Sequence, residues 1–92
     1  MNSESLVFDV RYIGAKKHFH DPHASAHATL AHEKPEVLTF FALKETPNEA
    51  GGKIYILSEG GKPITDLSQT LGHLAHGKHE LQLDLIEQLV QG

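Results

Sequence analysis

Apolar and polar residues alternate in several short segments of the chain, and a period of two predicts β-strands. The segment 6–13 alternates over residues 8–12, the segment 81–85 alternates throughout, and residues 53–58 are rich in β-branched and aromatic side chains. Residues 24–31 also alternate, with alanine or leucine at every second position. These segments predict strands, together with a short return strand that starts at Pro63 and follows a glycine turn. Because alanine favours helices, a helix that begins at Ser25 is the alternative for the alanine-rich segment.

A single main helix is predicted after residue 34. Pro35 suits the first turn of a helix, and Glu36 then lies near its positive N-terminal end. The next residues form an apolar stripe at helical spacing: Val37, Leu38, Phe41 and Ala42. The segment 46–48 ends this helix, and residues 66–75 are expected to be irregular or to form a short helical turn. The histidine-bearing segment 15–23 is predicted to be mostly loop, with a short strand around Phe19.

The order of these elements predicts an α+β domain in which one main helix packs on one face of a mixed sheet of four to five strands. The first and last strands are expected to pair in parallel at the centre of the sheet, since the helix supplies the crossover that parallel neighbours require. Residues 1–86 would form this domain. Residues 87–92 show no pairing pattern and are predicted to be a flexible C-terminal tail.

Composition narrows the classes of function. The chain has 92 residues, a formal net charge of −4 and no cysteine. The negative charge gives no electrostatic reason to bind nucleic acid or an anionic membrane, and the missing cysteine removes disulfides, thiolate ligands and a cysteine nucleophile. The first residues carry neither a basic nor a long apolar stretch, so a cytoplasmic location is expected.

Eight histidines raise the question of a metal site. His18 and His20 would share a face of an extended segment and, with His23, offer three imidazoles to zinc. A loop supplies no fixed ligand geometry, so surface histidines that titrate near pH 6.5 are the favoured interpretation, and no metal or cofactor is predicted. Asp21 and Glu33 are candidate general bases. No nucleophile accompanies them, so the chain is not expected to be an enzyme.

The C-terminal half resembles ubiquitin and its relatives. It has an apolar strand at 54–57, Gly61-Lys62-Pro63-Ile64, Asp66, Thr70-Leu71, the alternating leucine strand 81–85 and a terminal Gly92. Order and spacing carry this likeness, which covers about 39 residues. Among these relatives the chain resembles the bacterial ubiquitin-like proteins, which are often encoded in anti-phage operons. The resemblance implies the β-grasp fold.

The resemblance also implies a protein modifier whose Gly92 carboxylate is joined to a target amine through an isopeptide bond. An ATP-dependent activating enzyme would adenylate the carboxylate, and a conjugating enzyme with a catalytic cysteine would carry it as a thioester. A deconjugating metalloprotease would reverse the reaction. The partner enzymes would recognise the tail residues Leu89, Val90 and Gln91, and Lys62 is the candidate chain-linking lysine.

The chain departs from ubiquitin at several positions that partners would read. Gln91 stands where a second glycine is usual, the tail is not basic, and Asp84 replaces an apolar residue of ubiquitin's recognition patch. Dedicated partners are therefore implied. A non-covalent interaction module of the same fold, a sulfur carrier with a C-terminal thiocarboxylate and a zinc-binding protein are the alternatives.

Overall fold

The computed structural model describes residues 5–91. Its strands and helices follow in the order β1 (Ser5–Tyr12), β2 (Phe19–Ser25), α1 (Leu30–Phe40), β3 (Lys53–Glu59), β4 (Lys62–Pro63), α2 (Leu71–Ala75) and β5 (Glu80–Leu89). The strands form one mixed five-stranded sheet in the order β2-β1-β5-β3-β4. This is the predicted α+β architecture, with one main helix, and it is compatible with a β-grasp fold.

The two terminal strands pair side by side in the middle of the sheet, as predicted. β1 and β5 are parallel from Val7 opposite Glu80 to Tyr12 opposite Leu85. The flanking pairs, β1 with β2 and β5 with β3, are antiparallel. β1 and β5 lie far apart in the sequence. The central pair of the sheet therefore forms only when almost the whole described chain has folded.

The core lies between one face of the sheet and the helices. Strand side chains alternate inward, so Phe8, Val10 and Leu83 are fully buried, and the helices add Leu30, Val37 and Leu71, which are also fully buried. Leu71 and Leu74 of α2 point inward and Leu67 packs against the core, as the spacing of these leucines predicts.

The start of α1 differs from the prediction. The helix begins at Leu30, five residues before Pro35, because the Oγ1 atom of Thr29 accepts a hydrogen bond from the backbone N–H of His32 and caps the helix. The predicted strand 24–31 is therefore wrong beyond Ser25. The second strand instead starts at Phe19, whose ring packs edge-on against Phe8.

The last strand is longer than predicted. β5 continues to Leu89 in register with β3, with Glu87 opposite Tyr55 and Leu89 opposite Lys53. The prediction of an unpaired segment from residue 87 is thus wrong for Glu87–Leu89, since β3 supplies a partner strand along their whole length. Gln91 lies beyond the strand, and Gly92 lies outside the described residues. In residues 5–91, no helix has the length and apolar character needed to cross a membrane.

Candidate functional site

The open face of the sheet, on the side away from α1, carries exposed apolar residues of the strands and their turns. Ile13, directly after β1, is fully exposed, and Ile86 of β5 is 44% exposed. Ile56 pairs with Ile86 from the neighbouring strand and is half-buried. We call this set, Ile13, Ile56 and Ile86, the isoleucine patch. An exposed apolar cluster of this kind is typical of a surface that binds another protein.

A cleft lies beside the isoleucine patch, where β1 ends at Tyr12 and β5 continues to Leu89 without it. It has a volume of about 670 Å³ and is lined by Arg11, Ile13, Gly14, His18, Ile86 and Glu87. The turn at Ile13–Gly14 closes one end of the cleft. Gly14 lies so close to the ring of Tyr12 that a Cβ atom there would come within 2.9 Å of it, which is tighter than a side chain allows. A glycine thus lets the chain leave the sheet immediately after β1.

The end of β5 has an unpaired backbone edge beside this cleft. Val90 donates its N–H to the carbonyl of Gly52 on the β3 side, so the alternation of a strand turns the backbone groups of Glu87 and Leu89 towards the β1 side. The N–H of Val7 donates to the carbonyl of His79, in agreement with odd-numbered residues of β5 facing β1. Pairing with β1 ends at Leu85. Within the described residues, the backbone groups of Glu87 and Leu89 consequently have no partner strand on this side.

Two polar contacts between side chains of neighbouring strands lie on the sheet near the patch. The Arg11 Nε atom lies 3.1 Å from an Asp84 carboxylate oxygen, and the His20 Nδ1 atom lies 2.5 Å from an Asp9 carboxylate oxygen. Both pairs are partly exposed, so they contribute little to stability. They leave the rim polar but without a strong charge of either sign.

Glu87 lines the cleft and accepts hydrogen bonds from two tyrosines. The hydroxyl groups of Tyr12 and Tyr55 both donate to the same carboxylate oxygen of Glu87, each at 3.2 Å. Burial, together with this negative neighbour, raises the pKa of Tyr12 and of Tyr55 above the ordinary phenol value. The arrangement fixes β5 against the ends of β1 and β3. It does not form a nucleophile–base pair, because neither phenol is activated.

The predicted tail residues lie at the end of β5. Leu89 is 60% exposed, Val90 is half-buried and Gln91 is exposed. Val90 donates to the carbonyl of Gly52 and accepts from the N–H of Gly51, so it is anchored to the loop before β3. The predicted conjugation residue, Gly92, lies outside the described residues.

The other predicted site residues do not converge. Lys62 is exposed in β4, at the opposite edge of the sheet from β2. His18 lines the cleft, His20 pairs with Asp9, and the backbone N–H of His23 donates to Asp21. Within residues 5–91, these three histidines do not form a cluster with metal-ligand spacing.

The sequence patterns do not single out the isoleucine patch or the unpaired edge. They put Ile13 inside a strand and Ile86 at a domain boundary, and neither position suggests a binding residue. The signal that could have found the patch is position: if the strand of Leu81, Leu83 and Leu85 continues, Ile86 falls on the face opposite the leucines.

No protein-family model matches this chain, and no curated protein matches it significantly.

Proposed function

We propose that this domain is a protein-recognition module that binds an extended segment of a partner protein along the open end of β5. The observation that carries the proposal is the meeting of the isoleucine patch with the unpaired backbone edge at Glu87 and Leu89. A partner strand that docks there gains main-chain hydrogen bonds from the edge and buries an apolar side chain against Ile13 and Ile86.

The cleft supports this mode of binding. Its volume of about 670 Å³ accommodates one or two apolar side chains, and its polar rim pairs internally through Arg11 and Asp84. Strand addition needs no charge of a particular sign, so the partner segment is expected to be apolar at alternate positions and otherwise uncharged.

A displayed library of random peptides tests the proposal, because it samples the side-chain patterns that a partner segment could present. Peptides selected on the wild-type domain should lose at least about tenfold in affinity for Ile86→Asp, because a charge would replace the apolar contact. Phe40→Asp is the matched control, since Phe40 is similarly exposed, at 48%, but lies on α1. Amide chemical shifts of Glu87 and Leu89 should change on binding. Peptides that bind Ile86→Asp as tightly as the wild type would exclude this site.

We infer a second candidate, covalent conjugation through Gly92, from the resemblance to bacterial ubiquitin-like modifiers. The exposed side chains of Leu89 and Gln91 support it, because an activating enzyme and a conjugating enzyme would have to read them. In this case the segment Glu87–Val90 must detach from β3 before the carboxylate reaches a partner's cysteine. The resemblance to the bacterial family would then also suggest a role in defence against phages. A thiocarboxylate on Gly92, as in sulfur carriers, would need the same detachment.

Deletion of Gly92 separates the two candidates. Conjugation, assayed as higher-mass adducts in cells that also express the activating and conjugating enzymes, should disappear. Binding of the selected peptides should be unchanged. Adducts that persist without Gly92 would exclude the covalent candidate.

A further inference from the structure

The first half of α1 carries a cluster of one imidazole and two carboxylates. His32, Glu33 and Glu36 each offer one ligand atom, and these atoms lie within 4.8 Å of one another. The Nε2 atom of His32 is 3.5 Å from a carboxylate oxygen of Glu36 and 3.8 Å from one of Glu33. The cluster lies on the helix side of the sheet, away from the isoleucine patch, so it is independent of the binding module proposed above.

The burial of Glu33 is the feature that a surface ion pair does not explain. The side chain of Glu33 is only 8% exposed, and its carboxylate lies 3.8 Å from the Nε2 atom of His32. Its carboxylate oxygens still reach solvent, since among residues 5–91 no fully buried side-chain oxygen or nitrogen lacks a hydrogen-bond partner. The nearest lysine in sequence, Lys34, pairs instead with Glu45, at 3.2 Å. Among residues 5–91, the imidazole at 3.8 Å is therefore the basic group that faces this carboxylate.

The surrounding charge is negative at this point. Burial is the main cause that raises the pKa of Glu33, and the carboxylates of Glu36 and of Asp21 in β2 add to it, while His32 opposes them. A cation bound between Glu33 and Glu36 would relieve this repulsion. Of the protein's own side chains, His32 offsets this repulsion only in part.

The distances suit a metal ion of the first transition series. Two ligand atoms that each lie about 2.0–2.1 Å from a tetrahedral zinc ion are about 3.3–3.4 Å apart, so the observed 3.5 and 3.8 Å need only small side-chain movements. The spacing of His32 and Glu36 by four residues places both side chains on one side of the helix. A mixed nitrogen and oxygen donor set favours zinc and its neighbours over calcium and magnesium, which prefer oxygen ligands alone.

We propose that His32, Glu33 and Glu36 bind one divalent transition-metal ion, with Zn²⁺ as the occupant that the ligand chemistry favours and with open positions completed by water. Glu33 is the buried anchor, whereas His32 and Glu36 close over the ion from the exposed side of the helix. The two carboxylate charges balance the charge of a divalent ion. The site is then suited to hold an ion in place and to stabilise α1.

Metal titration of the full-length, metal-free chain tests this proposal. Cobalt(II) is a suitable probe because tetrahedral coordination gives an intense visible absorption, and zinc should displace it at a ratio of one ion per chain. A large excess of magnesium or calcium should not displace it. Absence of saturable cobalt or zinc binding at concentrations of about 100 μM would overturn the proposal.

Paired variants locate the ion. Glu33→Gln, His32→Asn and Glu36→Gln should each weaken zinc binding at least about tenfold, by removing one ligand. The matched control replaces His18, His20 and His23 with asparagine and should bind zinc as tightly as the wild type. Circular dichroism checks that each variant folds. Loss of binding in the control variant, or full binding by Glu33→Gln, would place the ion elsewhere and contradict the assignment.

Discussion

Three side chains lock the open end of the sheet at the scale of single residues. Tyr12 and Tyr55 donate to one oxygen of Glu87, and the two rings meet edge-on with centroids 6.1 Å apart. Each residue comes from a different strand, so the cluster joins β1, β3 and β5 at one point. A carboxylate that accepts two phenol hydrogen bonds stabilises the neutral form of both phenols.

The phenols should therefore ionise only at high pH. The chain has two tyrosines and no tryptophan, so absorbance near 295 nm reports these groups alone. We expect both midpoints above the ordinary value of about 10, and Glu87→Gln should lower them because it removes the negative charge. Glu80→Gln, a change on the same strand without a tyrosine contact, should leave them unchanged.

The same shift sets the sign of the pH dependence of stability. Above about pH 10 the phenols of the unfolded chain lose their protons before those of the folded chain, so the free energy of unfolding should fall as the pH rises. Urea denaturation at pH 8 and at pH 10.5 measures this difference. Tyrosines that titrate identically in the wild type and in Glu87→Gln would show that Glu87 does not control them.

At the scale of elements, β5 has two different parts. From Glu80 to Leu85 it lies between two strands, and from Ile86 to Leu89 it pairs with β3 alone. The second part is a one-sided extension whose free edge lies beside the cleft. An exposed edge of this kind is a ready template for another strand.

Hydrogen exchange should reveal this one-sided pairing residue by residue. The amides of Gln88 and Val90 face β3 and should exchange slowly, whereas those of Glu87 and Leu89 face the open edge and should exchange fast. Two-dimensional NMR in deuterated water measures the alternation. The amides of Leu81 and Leu83 are the control, because β1 protects them on the same side. Uniformly fast exchange from residue 86 onward would instead indicate a free tail.

The elements that the sequence predicted well are those with strong local patterns. Strands β1 and β3 and the start of β5 follow from alternation, and the parallel central pair follows from the crossover rule. The start of α1 was predicted wrongly, because the alternating alanines of residues 24–31 favoured a strand there. Nothing in the hydrophobic pattern marked Thr29 as the residue that caps the helix. Its capping role depends on where the chain turns, which tertiary packing decides.

The candidate metal cluster was hidden for the same reason. A helix that starts at Pro35 leaves His32 and Glu33 outside it, so their shared side with Glu36 cannot be recognised. Once the helix starts at Leu30, Glu36 follows His32 by four residues and Glu33 by three, so it neighbours both on the helix surface. The burial of Glu33 could not be predicted, since it depends on how α1 packs.

At the scale of the whole molecule, the unpaired edge of β5 is an outcome of strand lengths rather than of composition. β1 has 8 residues and β5 has 10, and the shift between them leaves the end of β5 without a partner among residues 5–91 on the β1 side. The net charge of −4 opposes self-association through this edge. A partner strand must therefore offer better side-chain contacts than a second copy of the chain would.

The parallel pairing of the two terminal strands should make unfolding a single cooperative event. Leu83 is fully buried at the centre of β5, so Leu83→Ala should reduce the free energy of unfolding by about 2–5 kcal/mol, a large share of the roughly 5–14 kcal/mol expected for a chain of this length. Ile86→Ala, on the open face, should cost less than about 1 kcal/mol because its side chain is already partly in water.

Guanidinium denaturation followed by circular dichroism and by tyrosine fluorescence measures both variants. The two signals should give the same midpoint, since Tyr12 and Tyr55 lie on strands that cannot pair correctly without β5. Separate midpoints would mean that β3 and β5 persist after β1 has detached, which the central position of β5 argues against. Equal losses for Leu83→Ala and Ile86→Ala would mean that Ile86 belongs to the core, and the open face would then lose its place as the binding surface.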